Sequence, residues 1–221
     1  MIVDYQLDDG VAVIRMDDGK ANAYGLDMIG ALTDAIDRAE REATSVVIAG
    51  RQGVFCAGFD LNLIRGDDDA ARDRMRRNGR DLILRLYLHS QPVVMACTGH
   101  ALAAGALLLL AADYRVGAEG DFKLGLNESA IGLSLPPFGV ELARDRLDGR
   151  VLSDALVGAR IFDPSGAVDA GYLDCAVSAD QVLSTAIGYA REKGAYEQDA
   201  VSTTRRRLRH ATVARIQAAE D

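Results

Sequence analysis

PVVMACTGHALAAGALLLLAADYR, residues 92–115, is the stretch from which the fold is read. Val93-Val94-Met95-Ala96-Cys97 is an uninterrupted apolar run of strand length, and it breaks at Thr98-Gly99. A turn of small residues, Ala103-Ala104-Gly105-Ala106, then leads into the apolar helix Leu107-Leu108-Leu109-Leu110. A strand that stops at glycine and enters a helix through such residues leaves the first helical N–H groups without partners. Those donors, with the positive end of the helix dipole, suit an anion or an oxygen on which negative charge develops. Tight turns of this kind also serve close packing alone. The flanking segments have to decide between the two.

Outward from that stretch, strands and helices alternate. Residues 2–7 and 11–16 read as a hairpin about Asp8-Asp9-Gly10, followed by a polar loop from Asp17 to Asn22. Met28, Ile29, Leu32, Ile36 and Ala39 recur at helical spacing and predict a helix over 26–41, with a short buried strand at 45–50. After the loop RQGVFCAGFDLN (51–62), Asp67-Asp68-Asp69 reads as the solvated start of a helix reaching Leu88, not as a metal site. Downstream come a strand at 114–118 and an extended piece at 122–127. Helices follow over 140–146, 151–159, 164–170 (stopped by Gly171), 179–191 and 203–219. Alternation followed by helices alone predicts an α/β core, 1–150, built on a mostly parallel sheet, and a helical C-terminal region, 151–221.

Composition narrows the function. Of 221 residues, 49% are hydrophobic but only 5% aromatic, with no Trp, so the core is aliphatic. The 25 basic and 33 acidic residues leave a net charge of −8, and no aromatic residues interleave with a basic stripe; nucleic acid is not the expected partner. A locally amide-rich site can still take an anion. Neither a basic leader nor a membrane-length apolar run is present, the run at 101–112 being short and interrupted by glycine. Cys56, Cys97 and Cys175 lie far apart without metal spacing, which predicts reduced thiols, a cytoplasmic protein and no bound metal.

A second turn, Phe55-Cys56-Ala57-Gly58-Phe59-Asp60-Leu61, repeats the logic of the first: a strand, then glycine, then a helix. Two strand-exit turns on one parallel sheet lie at its carboxyl edge, where such sheets hold ligands. Two N–H groups converging there would form an oxyanion hole.

In this order the segments resemble the crotonase superfamily, the enoyl-CoA hydratase/isomerase family. The second turn is similar to that family's F-x-A-G-A-D-L. Pro92 to Gly105 resembles P-V-I-A-x-V/I-x-G-x-A-x-G-G-G, Asp113-Tyr114-Arg115 resembles C-D-x-R, and 132–137 resembles L-G-L/I-x-P. Asn22-Ala23 matches an early N-A/S pair, so the likeness covers the chain as far as Arg146.

The resemblance implies a crotonase (ClpP-like) spiral of ββα units with a helical C-terminal region that contributes to a homotrimer or dimer of trimers. It implies that the N–H groups of Phe59 and Ala104 hold the thioester oxygen of an acyl-CoA. Asn22, Ala57, Phe59, Asp60, Leu61 and Ala104 would contact CoA, which is part of the substrate; no metal or organic cofactor is implied. Ala103-Ala104 stands where the family has Gly-Gly, a change that right-handed helix-start dihedrals permit.

Hydratases of this family use two glutamates. The first position is Leu107 here and the second is Glu128, in Gly125-Leu126-Asn127-Glu128. One carboxylate that takes a proton from one carbon and returns it to another suffices for a Δ3,Δ2-enoyl-CoA isomerase, a class that also shows this run with leucine at the first position. Leu124, Leu126, Ile131 and Leu133 supply the desolvation that raises the pKa of such a base.

Two alternatives stay open: a hydratase that recruits Glu141, His100 or a water, and an acyl-CoA-binding protein without catalysis. His100 reads as structural, Asp145 as a solvated helix face and Cys56 as packing. Lys123 and the run Arg205-Arg206-Arg207-Leu208-Arg209 read either as contacts to CoA phosphates or as plain surface.

Overall fold

Strands β1 (Val3–Asp8) and β2 (Val11–Met16) pair antiparallel across Asp9 and Gly10. Both turn residues have positive φ, 46° and 80°, as a two-residue hairpin turn requires. Helix α1 (Leu26–Glu42) buries Met28, Ile29, Leu32, Ile36 and Ala39 and returns the chain to β3 (Ser45–Ala49), parallel to β2. The structure, a computed structural model, describes residues 1–220.

Strands β5 (Val93–Cys97), β7 (Tyr114–Ala118) and β9 (Cys175–Val177) complete a six-stranded sheet, ordered β1-β2-β3-β5-β7-β9 and parallel from β2 onward. Its central strands read as unbroken apolar runs because both faces are covered. Val46, Ile48, Val93 and Met95 join the larger core with α1, while Val47, Ala49, Val94 and Ala96 pack with Val182, Ala186 and Ala190 of helix α8 (Val182–Gly194).

The sequence predicts one sheet; the protein has two. Strands β4 (Gly53–Cys56), β6 (Gly99–Leu102) and β8 (Leu124–Gly125) form a second, parallel sheet in that order. Each follows a main-sheet strand and precedes a helix. After β4 come α2 (Leu61–Arg65) and α3 (Asp69–Tyr87), after β6 comes α4 (Ala104–Ala111), and after β8 comes α5 (Pro137–Arg146). That repeat matches the ββα spiral that the resemblance implies. Both glycine turns therefore leave the small sheet, not the main one. Strands of two to four residues are too short to show a period of two, which is why His100-Ala101-Leu102 is not read as a strand from the sequence.

Other boundaries differ for local reasons. Helix α5 begins at Pro137, not at 140, because proline has no N–H to lose at the first helical position. The C-terminal region is not helical alone: between α6 (Leu152–Leu156), α7 (Pro164–Ala170) and α8, three half-buried residues form β9 against β7. The acidic run behaves as expected, with Asp68 accepting from Ala71 N at 2.8 Å to cap α3.

The last helix, α9 (Gln198–Glu220), corrects the reading of its arginines. Arg205 and Arg209 are 6% and 2% exposed and so are neither surface nor phosphate contacts. Arg205 donates to Asp113 through Nε (2.9 Å) and Nη2 (2.7 Å), and Arg209 Nη2 donates to Asp113 Oδ1 at 3.0 Å. Their Nη1 groups reach the carbonyls of His89 and Tyr87. Asp113 also accepts from Val93 N at 2.9 Å, so one carboxylate joins α9 to the central strand β5.

Candidate active site

Two loops meet beside the small sheet. Gly58, at φ 99°, turns the chain after β4, and Tyr24 N donates to its carbonyl at 2.8 Å. Asn22 holds the same loop from within: its Nδ2 donates to Met16 O and Phe55 O at 3.1 Å, and its Oδ1 accepts from Asp18 N at 3.0 Å. The Asn22 side chain is fully buried, so it braces the loop and is not on a surface that CoA would touch. Ala57 is exposed, as is Leu61, while Asp60 caps α2 by accepting from Asn62 N at 2.8 Å.

The second loop enters α4 at close quarters. A Cβ on Gly105 would lie 2.1 Å from Cys56 O, so only glycine lets the helix come this near to β4. Ala103, just before the helix, has φ 50° and ψ −121°, which corrects the expectation of right-handed dihedrals. That conformation suits glycine and costs an alanine about 1–3 kcal/mol. It is held by Ala103 N donating to Gly125 O and by Leu107 N donating to Ala103 O, each at 3.0 Å.

A Cβ built on Gly58 would sit 2.8 Å from Ala103 Cβ and 3.5 Å from Ala104 N. The two turns are thus in contact, with Phe59 next in the chain after Gly58. Among the described residues, neither Phe59 N–H nor Ala104 N–H donates to a backbone acceptor.

Beside them lies a cavity of about 390 Å³ lined by Phe59, Ile64, Leu107, Leu133 and Phe138, with Glu128 and Arg76 as its charged members. Glu128 is 8% exposed, and its Oε2 has no hydrogen-bond partner. Burial pushes this carboxyl up to about 6, in line with its apolar neighbours. Behind it stands Tyr172, fully buried, its phenol raised first by burial and also by the nearby Glu128. Leu107, 1% exposed, presents hydrocarbon to the same space.

The remaining candidates point elsewhere. His100 Nδ1 accepts from Lys123 N at 2.9 Å and its ring meets the edge of Phe122 at 5.4 Å, the structural role expected of it. Glu141 is held by Arg215 at 2.6 Å, and Asp145, expected on a solvated face, accepts from Tyr87 OH at 2.6 Å and Thr212 Oγ1 at 3.0 Å. Cys56 is buried, its thiol pushed up to about 12 by desolvation. Lys123 is exposed and does not line the cavity. Glu128 is therefore the one carboxylate lining this cavity among the described residues.

Sequence reasoning missed Arg76, Tyr24 and Tyr172. Tyr24 packs on the Phe59 ring (5.4 Å between centroids) and its hydroxyl donates to Gly79 O at 3.1 Å, fixing α3 over the loop. Nothing in the sequence marks Arg76, an exposed residue outside the buried stripe of α3 (Ala71, Met75, Gly79, Leu82, Ile83 and Leu86) that nonetheless lines the cavity. Nothing local marks the two tyrosines. Among the described residues, no cluster of His, Cys, Asp and Glu could hold a metal, and no helix is long and apolar enough to cross a membrane.

A desolvated carboxyl group in an apolar cavity, set on this spiral, is the equipment of an enzyme that moves protons. The chain belongs to the enoyl-CoA hydratase/isomerase family, whose sequence model, described as Enoyl-CoA hydratase/isomerase, matches residues 6–220. The enoyl-CoA hydratase of Mycobacterium ulcerans Agy99 is 39% identical, with a TM-score of 0.95 over 99% of this chain and 96% of that one. Human mitochondrial delta3-delta2-enoyl-CoA isomerase is 28% identical with a TM-score of 0.94, covering 99% of this chain and 87% of that one. The mouse mitochondrial enoyl-CoA delta isomerase 1 is 30% identical over 92% of this chain and 72% of its own length.

Proposed function

We propose that the enzyme isomerises 3-enoyl-CoA to 2-enoyl-CoA thioesters with Glu128 as its single acid/base. The thioester oxygen accepts from the N–H groups of Phe59 and Ala104. Glu128 takes a proton from C2, the electrons pass into a dienolate, and the same carboxyl returns the proton at C4. An oxyanion donor of this kind is worth about 2.7–4 kcal/mol in the transition state, and a placed acid/base about 10²- to 10⁴-fold in rate. Ala57, Asp60 and Leu61 would contact CoA, and the helical end would contribute to a trimer.

The observation that carries this reading is the opposition of Glu128 to Leu107 in one cavity. Hydration of a 2-enoyl-CoA needs a water held between two proton-transferring groups, and leucine cannot be one of them. Separate incubation with a 3-enoyl-CoA and with crotonyl-CoA tests it. Isomerisation without hydration, abolished in Glu128→Gln, is the expected result; robust hydration overturns it, and turnover of neither thioester points to an acyl-CoA-binding protein.

A further inference from the structure

Arg76 stands out on helix α3 for the cavity it lines. Arg72 pairs with Asp69, Arg80 with Asp81, and Arg85 with Asp37 and Glu40. The side chains of Arg74, Arg76 and Arg77 make no hydrogen bond or ion pair with any described residue, and of the three only Arg76, itself exposed, lines the same cavity as Glu128. Nor does it pair with Glu128, whose Oε2 has no hydrogen-bond partner and whose carboxyl is raised by burial. Apart from these two charged groups the lining is mainly hydrocarbon, with Phe59, Ile64, Leu107, Leu133 and Phe138.

We infer that Arg76 recognises an anion at the far end of the acyl chain, so that the preferred thioester carries a terminal carboxylate. The inference rests on the proposed acyl-CoA chemistry at Glu128 and names the acyl class. Arg76 is exposed, so a plain hydrocarbon chain in this cavity leaves its guanidinium in water without a partner, whereas a chain ending in an anion can supply one. A carboxylate would accept two parallel N–H bonds from it, the geometry for which arginine is best suited. Ser134, on the same lining, adds a hydroxyl to the cavity. At about 390 Å³ the space is near the small end of ligand cavities, which favours a short diacid chain.

The test is binding and turnover measured separately on matched thioesters that differ only at the chain end. Calorimetric affinities of adipoyl-CoA, hexanoyl-CoA and free CoA are taken for the wild-type enzyme, Arg76→Leu and Arg76→Lys. The wild type is expected to bind adipoyl-CoA roughly 2- to 5-fold more tightly than hexanoyl-CoA, the scale of an exposed ion pair. Arg76→Leu should lose that preference through adipoyl-CoA alone, with Arg76→Lys retaining part of it. Equal wild-type affinities overturn the inference. So does a loss in Arg76→Leu shared by all three ligands, which would assign the guanidinium to CoA phosphates. Turnover of 3-hexenedioyl-CoA and 3-hexenoyl-CoA is read apart: if neither reacts, the isomerase reading fails while the binding preference still decides the role of Arg76.

Discussion

Leu107 and Glu128 line one cavity, hydrocarbon from a buried helix set against a carboxyl group whose Oε2 has no hydrogen-bond partner. That pairing decides how protons can move here. A second carboxylate would repel the first and share a water with it; leucine does neither, and it leaves Glu128 with burial as the main influence on its acidity.

The rate should follow the ionisation of Glu128. As the base it must be deprotonated, so kcat/KM for the 3-enoyl substrate should rise with pH through an apparent pKa of about 6 and then level. Rates measured from pH 4.5 to 8.5 check this, and a limb near the ordinary glutamate value would show the group to be hydrated instead.

The same shift sets the pH dependence of stability. The folded-state pKa lies above the unfolded one, so folding favours the protonated acid. The contribution is fully present below the unfolded value and is lost as pH rises through about 6. From pH 4 to 8 the wild type should lose about 2 kcal/mol relative to Glu128→Gln, from the shift of 4.5 to about 6. Urea unfolding of both proteins at the two pH values gives that double difference.

Leu107→Glu should convert part of the chemistry. A second carboxyl in this space raises the apparent pKa of Glu128 further, moving the pH limb of isomerisation upward, and gives water a second acid/base. Measurable hydration of crotonyl-CoA, absent in the wild type, is the expected gain, at a stability cost of about 1–3 kcal/mol for the added buried polar group. Spectrophotometric loss of the enoyl thioester chromophore reads it directly.

Ala103 holds a glycine conformation at φ 50°. Ala103→Gly should relieve about 1–3 kcal/mol of strain while returning about 0.4–1 kcal/mol of freedom to the unfolded chain. The net expectation is stabilisation of about 1–2 kcal/mol in denaturant midpoints, with the turn and its activity retained.

Asp113→Asn should be costly. It leaves Arg205 and Arg209 buried without the one carboxylate that pairs with both, and breaking such a buried ion network costs about 3–5 kcal/mol. Burial alone would raise the Asp113 carboxyl, but hydrogen bonds and charge from Arg205, with Arg209, hold it below the usual range. Its stabilisation is therefore present above the unfolded carboxylate value and lost as pH falls through the folded one. The gap between wild type and variant should be full at pH 7 and close in strong acid.

Much of this was legible in the chain. The 92–115 stretch, the 55–61 loop and the Glu128 run each carry local signals: apolar runs of strand length, glycines at bends and an acid among leucines. The small sheet was not, because β4, β6 and β8 owe their strand character to one another and not to any period of their own. Arg205 and Arg209 read as surface because a helix shows its charges in sequence but not the carboxylate that meets them. Asn22 likewise carries no mark of the carbonyls it braces.

By itself the sequence determined the family, the two turns and the missing glutamate at position 107, since these depend on residue type and order. Only the tertiary structure decided which groups share a cavity. Glu128 and Arg76 lie 52 positions apart and Asp113 and Arg205 lie 92 apart, and no local rule couples residues at such distances. Their meeting follows from how the spiral stacks one ββα turn on the next, where burial and charge are set by neighbours from elsewhere in the chain.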